Sequence, residues 1–280
     1  MIDTSPTVRL QLDSRPESLT VVRSMLAGFG EALGFDPELL DDLKTAVSEA
    51  CNNVVLHAYG GFAGPLSVRL DVGSHGLEVT VCDRGSGIQH VASSAEDRMG
   101  VGLAVISALA DRAEFLRVPG GGTEVRMAFL DRGQPVQVLD TPAETILSPP
   151  AGLAGDVIVS LAPVGLLVGV LGRIARVLAA GARFSLDRFS DVYLVTDALA
   201  AHAHSAAAGA DVSFAIAAGN RRLEITIGPF RAGSGASLRQ SADDSQSGSP
   251  LSVLADELAV EGLAAAEMLR LVVFDRPRAP

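Results

Sequence analysis

At 280 residues the chain is long enough for two domains of ordinary size, each with its own core. An apolar fraction of 48% beside 20% charged residues is that of a globular protein rather than a disordered one. The formal net charge of -11, with neither half basic, excludes non-specific nucleic-acid binding and leaves an acidic surface suited to a basic partner.

Cys51 and Cys82 make no disulfide framework, and no Cys/His spacing suggests zinc. The N-terminus, Met-Ile-Asp-Thr-Ser-Pro, lacks the basic and apolar parts of a signal peptide, so a cytoplasmic protein is expected. The apolar run from Val157 to Gly172 contains Pro163 and meets Arg173 and Arg176. At 16 residues it falls short of a membrane span and reads as a buried strand entering a buried helix.

Alternation over Val8–Leu12 predicts a strand, and a helix is expected from about Ser18 to Leu33, ended by Gly34. Asp36-Pro37-Glu38 is a helix start, with an N-cap, proline at the first position and an acid in the first turn. Leu39, Leu43, Ala46, Val47, Ala50 and Val54 then recur at helical spacing, predicting a central amphipathic helix to about Tyr59. Two alternating strands follow, Leu66–Val72 and Gly76–Cys82. The glycines of 100–102 lead into a helix to about Ala110, and Ala113–Arg117 and Glu124–Leu130 close the unit. The order over 1–133 is β-α-α-β-β-α-β-β, an α/β (α+β) two-layer sandwich with helices on one face of a mostly antiparallel sheet.

Residues 134–152 are proline- and glycine-rich and read as a semi-rigid linker. Across 153–280 the pattern repeats, predicting a duplicated domain. Arg183–His202 parallels Gly34–Val54, with about Asp197 and Ala201 opposite Glu49 and Asn53, and Pro229 opposite Asp83. The second copy is a fold without a nucleotide site. Its His202 and His204 read as surface residues, and Asp197 is given no role.

Three motifs carry chemistry. Glu49 and Asn53 stand four apart on one helix face, a carboxylate and a carboxamide suited to hold a divalent cation or orient a water, or simply to be solvated. Asp83-x-Gly85-x-Gly87 sets a carboxylate at a strand end, able to accept from an exocyclic amine, with glycines that let the backbone lie against a ring; the pattern also occurs in plain turns. Gly100-Val101-Gly102 before a helix offers free N–H groups to phosphate, or only tight packing.

In combination, with Gly122-Thr123 before the last strand, these motifs resemble the GHKL (Bergerat-fold) ATPase superfamily. Within it they are most similar to bacterial anti-sigma factors that are also serine kinases. The resemblance covers roughly residues 8–131 and is strongest along Lys44–His57. It implies ATP and Mg²⁺ as cofactors, with Asn53 as metal ligand and Asp83 as the adenine-reading residue with Thr123 beside it. It also implies Gly85 and Gly87 along the base, Gly100, Val101 and Gly102 at the phosphates, and Glu49 as general base toward a serine hydroxyl or water. The ATP lid would be 88–99, whose Arg98 is placed to touch phosphate or to be solvated. His57 is a further polar group on the Glu49 face or a helix-end residue, Asn52 a supporting or surface amide, and both cysteines small buried hydrophobes.

The partners implied are a sigma factor and a small serine-containing antagonist protein, with no direct nucleic-acid binding and no membrane. The second copy suggests a monomer with an internal pseudo-dimer, or a homodimer. The alternative is a non-catalytic module in which ATP sets the conformation that a partner recognises. A DNA-repair or chaperone ATPase ranks lower, since such enzymes carry a catalytic lysine on an extra domain and Lys44 is the sole lysine.

Overall fold

The computed structural model describes residues 5–73, 76–86, 101–130, 147–235, 238, 250–263 and 265–275, without the side chains of Val101, Pro250, Ser252 and Leu263. The chain divides into two compact units at 145/146. Most of the expected linker, 134–146, lies outside the described residues, and 147–152 belong with the second unit.

The first unit runs β1 (Thr7–Asp13), α1 (Ser18–Ala32), α2 (Pro37–Asn53), β2 (Pro65–Gly73), β3 (Gly76–Asp83), α3 (Val101–Leu109), β4 (Arg112–Arg117) and β5 (Thr123–Leu130). Its strands lie in the order β1-β2-β3-β5-β4, and every neighbouring pair is antiparallel. Strict alternation turns one face inward. Leu66, Val68, Leu70 and Val72 of β2 and Leu77, Val79 and Val81 of β3 are buried, while Ser67, Arg69, Asp71 and Thr80 are half-exposed. At about 25 cal/mol per Å² of apolar surface, each such side chain contributes roughly 2 kcal/mol. The helices cover this face with Val22, Met25, Leu26 and Phe29 of α1 and Leu43, Ala46, Val47 and Ala50 of α2.

Asp36 caps α2 as expected, its side chain accepting from the Glu38 amide at 2.9 Å, with Pro37 at the first position. Past Asn53 the α-helix does not continue to Tyr59. Val54–Ala58 form a single π-helical turn, so His57 is not stacked one α-turn above Asn53 and is exposed.

The second unit runs β6 (Val157–Ala162), a short 3₁₀ turn (Val164–Leu166), α4 (Leu167–Gly181), α5 (Leu186–Ala206), β7 (Val212–Gly219), β8 (Arg222–Arg231), α6 (Pro250–Leu254), β9 (Glu257–Leu263) and β10 (Ala266–Phe274). Its strand order is β6-β7-β8-β10-β9, again all antiparallel. The apolar run is therefore a strand followed by a helix. The stretch Val164–Gly181 is long and apolar enough to cross a membrane by length and composition. Its Leu167, Val170, Leu171, Ile174, Ala175 and Ala179 are nevertheless the core-facing side of α4, which packs on α5 and the sheet.

Strand order in the two units matches position for position, and so does the turn before the second helix. Gly34 and Arg183 are both left-handed, with φ of 69° and 62°. The next amide, Phe35 or Phe184, bonds back to Gly30 or Ala179. Counted from that turn, Ala198 and His202 follow Arg183 at the spacing at which Glu49 and Asn53 follow Gly34, one residue on from the Asp197 and Ala201 of the sequence reading.

Candidate functional site

The inward series on β3, Leu77, Val79, Val81, ends in Asp83, and the inward series on β5, Phe129, Met127, Val125, ends in Thr123. Both polar ends are buried, at 3% and 9% exposure, because alternation leaves them no other face. Cys82 pairs with Glu124, which sets Asp83 beside Thr123. The carboxylate accepts from the Gly85 amide at 2.7 Å and from the Thr123 amide at 3.2 Å. A buried carboxylate so held is fixed in direction and keeps lone pairs for a further donor.

Two glycines make this packing possible. A Cβ on Gly85 would lie 2.1 Å from the Ala58 carbonyl oxygen, and one on Gly122 would lie 2.1 Å from the Asp83 carbonyl oxygen. Gly122 also has φ of +101°, which side chains rarely adopt.

The π-helical turn brings α2 to the same place. A helix end leaves carbonyls without partners, and that of Ala58 is met by the Ser86 amide at 2.9 Å and by the Ser86 hydroxyl at 3.3 Å. Tyr59 reaches further: its hydroxyl accepts from the Arg84 amide at 2.8 Å and donates to the Pro65 carbonyl at 2.6 Å. Burial pushes its phenol up; the Arg84 amide opposes this and the Asp83 and Cys82 charges add to it, so it is neutral at physiological pH. Gly122 is legible as part of the Gly122-Thr123 motif, whereas Tyr59 does not stand out as functional in the sequence: a tyrosine six residues past Asn53 reads as a helix end.

Glu49 and Asn53 are half-buried on α2, and α3 packs across them. A Cβ on Gly102 would meet the Glu49 Oε2 at 3.0 Å, the Asn53 Oδ1 at 3.4 Å and its Nδ2 at 3.5 Å. The first turn of α3 thus lies bare backbone against the carboxylate and the carboxamide. That cradle, lined by oxygen donors, fits a hard cation and its phosphate partners: Mg²⁺ on a nucleotide takes one or two protein oxygens and fills its shell from phosphates and water. Among the described residues no three His, Cys, Asp or Glu side chains cluster as a self-sufficient metal site.

Of the residues expected in the site, the structure brings Glu49, Asn53 and Gly102 together at one end and Asp83, Gly85 and Thr123 at the other. Val101 opens α3 by its backbone. Gly87 and Gly100 lie outside the described residues, as does 88–99 with Arg98. Asn52 is half-buried. Cys51 is wholly buried, its thiol pushed up to about 12 by desolvation, whereas Cys82 is only partly covered.

The region 12–129 matches the family model of the histidine kinase-like ATPase domain. The chain is also 32% identical over 129 residues to an anti-sigma F factor of Caldanaerobacter subterraneus subsp. tengcongensis, a match spanning 43% of this chain and 90% of that protein. The chain belongs to the histidine kinase-like ATPase family. It is likewise 30% identical over 148 residues to the serine-protein kinase RsbW of Bacillus pumilus, spanning 47% of this chain and 91% of that one. With an anti-sigma F factor of Pasteuria penetrans the identity is 33% over 131 residues, 43% and 87% of the two chains. The family match falls within the first unit, an ATP-binding type of domain homologous to anti-sigma factor kinases.

In the second unit the corresponding positions hold other chemistry. The shared hairpin register places Pro229 opposite Asp83. The next residue, Phe230, is fully buried, and its ring meets the His202 ring edge-on at 5.2 Å. Burial lowers the His202 pKa, with Glu267 opposing, and its Nε2 has no hydrogen-bond partner among the described residues. The Glu267 carboxylate accepts from the Gly235 and Gly233 amides at 2.9 and 2.6 Å, which hold it below the usual carboxylate range. His204 is exposed.

Proposed function

We propose that the first unit binds Mg-ATP and passes its terminal phosphoryl group to a serine of a small antagonist protein, and that the chain in this way restrains and releases a sigma factor in the cytoplasm. The observation that carries the reading is the approach of Gly102 to Glu49 and Asn53, the start of a helix lying against a carboxylate and a carboxamide. Asn53 would hold the metal through its carboxamide oxygen. The backbone from Val101 to Gly102, with Gly100 before it, would take the phosphates on its N–H groups. Asp83 would accept from the exocyclic amine of adenine, with Thr123 beside it and Gly85 and Gly87 along the ring. Bound Mg²⁺ would supply charge neutralisation at the phosphates.

Glu49 is the general base. It takes the proton of the serine hydroxyl as that oxygen bonds to phosphorus and ADP departs; proton removal by a placed carboxylate is the largest task such a reaction leaves to a side chain. The relatives' names support the direction of the reading, since they include both anti-sigma factors and serine-protein kinases.

The second unit is, in this reading, a copy that has lost the site. The repeated strand order and left-handed turn support a copy; Ala198, His202 and Pro229 at the positions of Glu49, Asn53 and Asp83 support the loss.

Calorimetry on the full chain tests the proposal. One mole of Mg-ATP is expected per mole of protein, with binding weakened in Asn53→Ala and lost in Asp83→Asn. Glu49→Gln is expected to keep binding and to abolish phosphate transfer to a serine-containing antagonist. Two bound nucleotides would overturn the reading of the second unit. Binding without any transfer by the unaltered protein would leave an ATP-gated docking module instead.

A further inference from the structure

We propose that Tyr59 is a positioning residue for the base end of the nucleotide site, and that its hydroxyl sets how well the Asp83 turn distinguishes adenine from guanine. The inference rests on the nucleotide reading above and adds to it a residue that never touches the ligand.

Three chain segments meet at that hydroxyl. Tyr59 itself ends the extension of α2, Pro65 opens β2, and Arg84 follows Asp83 at the end of β3. The phenol donates to one backbone and accepts from the other, at 2.6 and 2.8 Å, which uses its single proton and one lone pair. Its ring rests on Gly64, where a Cβ would stand 2.4–2.5 Å from three ring atoms. Gly64 is in turn fixed by Ser14, whose amide donates to its carbonyl at 2.8 Å and whose buried hydroxyl accepts from its amide at 3.0 Å. The ring is therefore seated on a braced glycine, and the hydroxyl is fixed from behind.

What the hydroxyl holds is the peptide between Asp83 and Arg84. Gly85, one residue on, donates to the Asp83 carboxylate, and Ser86 is tied to Ala58. The turn Asp83–Ser86 is thus fastened to the Glu49–Asn53 helix at two points, Arg84 to Tyr59 and Ser86 to Ala58. Reading a base by a carboxylate depends on direction: the acceptor gains from an amine donor and is repelled by a carbonyl oxygen in the same place. A turn released at Arg84 lets the carboxylate swing, which weakens the favourable contact and relieves the unfavourable one. The effect belongs to the base and not to the phosphates.

Two substitutions break the tether by different routes. Tyr59→Phe keeps the ring on Gly64 and deletes the hydroxyl. Gly64→Ala keeps the hydroxyl and pushes the ring off its seat, with no left-handed backbone to strain at that glycine. Each full-length variant is titrated with Mg-ATP, Mg-ADP and Mg-GTP, alongside the unaltered chain and Asn53→Ala. The expected result is an equal three- to tenfold weakening of ATP and ADP in both tether variants, unchanged or tighter GTP, and a smaller ATP-to-GTP preference. Asn53→Ala should instead weaken ATP more than ADP and leave the base preference alone. General destabilisation would weaken every nucleotide together and leave the ratio fixed, so an unchanged ratio overturns the inference. Tether variants that bind ATP as the unaltered chain does overturn it as well. An unaltered chain that binds no nucleotide overturns the site reading and the tether with it.

Discussion

Gly102→Ala should separate stability from function, because the same methyl group acts in opposite directions on the two. Gly102 is the second residue of α3 and its backbone is not in the left-handed region. Alanine is favoured over glycine in a helix interior by about 1 kcal/mol, of which about half is expected in the first turn. The new Cβ stands 3.0 Å from the Glu49 Oε2 and 3.4 Å from the Asn53 Oδ1, contacts that ask for a few tenths of an ångström of movement. Both neighbours are ends of flexible side chains, so folding loses little, and the melting temperature should stay level or rise by ~1–3 °C. The site fares differently. The methyl fills the gap between α3 and the two oxygen donors, and a cation bound at about 2.1 Å from its ligands tolerates no such intrusion. Loss of that coordination should weaken Mg-ATP at least tenfold, or roughly 1.4 kcal/mol. Calorimetry for binding and a thermal melt of the same sample decide it. A variant that binds Mg-ATP as tightly as the unaltered chain would refute the placement of the cation beside Glu49 and Asn53.

Other expectations follow from single contacts. Gly122→Ala forces a side chain into a left-handed residue and against the Asp83 carbonyl, and should destabilise the first unit by about 3 kcal/mol, read by chemical denaturation. Burial would raise the Asp275 pKa, but the Ser185 amide and hydroxyl and the Arg221 guanidinium outweigh it and hold the carboxyl below its usual range. Its contribution should be complete above about pH 5 and lost as pH falls through 4 and below, so melts from pH 6 to 3 should slope less steeply in Asp275→Asn. Folded protein should react with a thiol reagent at Cys82 well before Cys51, whose thiol is sealed and pushed up to about 12; mass spectrometry of the partially labelled chain reads the order.

Periodicity carried most of the first unit. The element order and the inward faces of α2, β2, β3 and β5 follow from apolar spacing, and observed ends differ from expected ones by a residue or two except where α2 gives way to the π-helical turn. That turn has no mark in the sequence: Val54-Val-Leu-His-Ala continues a helical pattern, and the structure shows instead a π-helical turn whose Ala58 packs on Gly85. Asp83 and Thr123 were legible because motif and alternation agree there. Tyr59 was not, since its partners are two backbone groups, and backbone partners leave no pattern of side chains to read. The second unit shows the same limit: a glycine marks the left-handed turn at Gly34, but an arginine adopts it at Arg183, which composition does not announce.

The second unit also separates two tasks that Asp83 performs at once. In the first unit one carboxylate ties down the glycine turn after β3 and, in the proposed function, reads the base. In the second unit the residue opposite it is Pro229, which has no side chain able to accept anything. The glycine turn after β8 is tied down all the same, by Glu267 at the start of β10, reaching across from the strand that corresponds to β5. A turn of this kind needs a carboxylate for its backbone amides, and either adjacent strand can provide it. Supplying it from a half-buried position on the neighbouring strand satisfies the amides, and Phe230 is buried next to Pro229 instead. Burying the carboxylate at the end of β3 is thus more than the turn requires. A buried acid costs free energy unless its remaining lone pairs find donors, and an exocyclic amine would supply one.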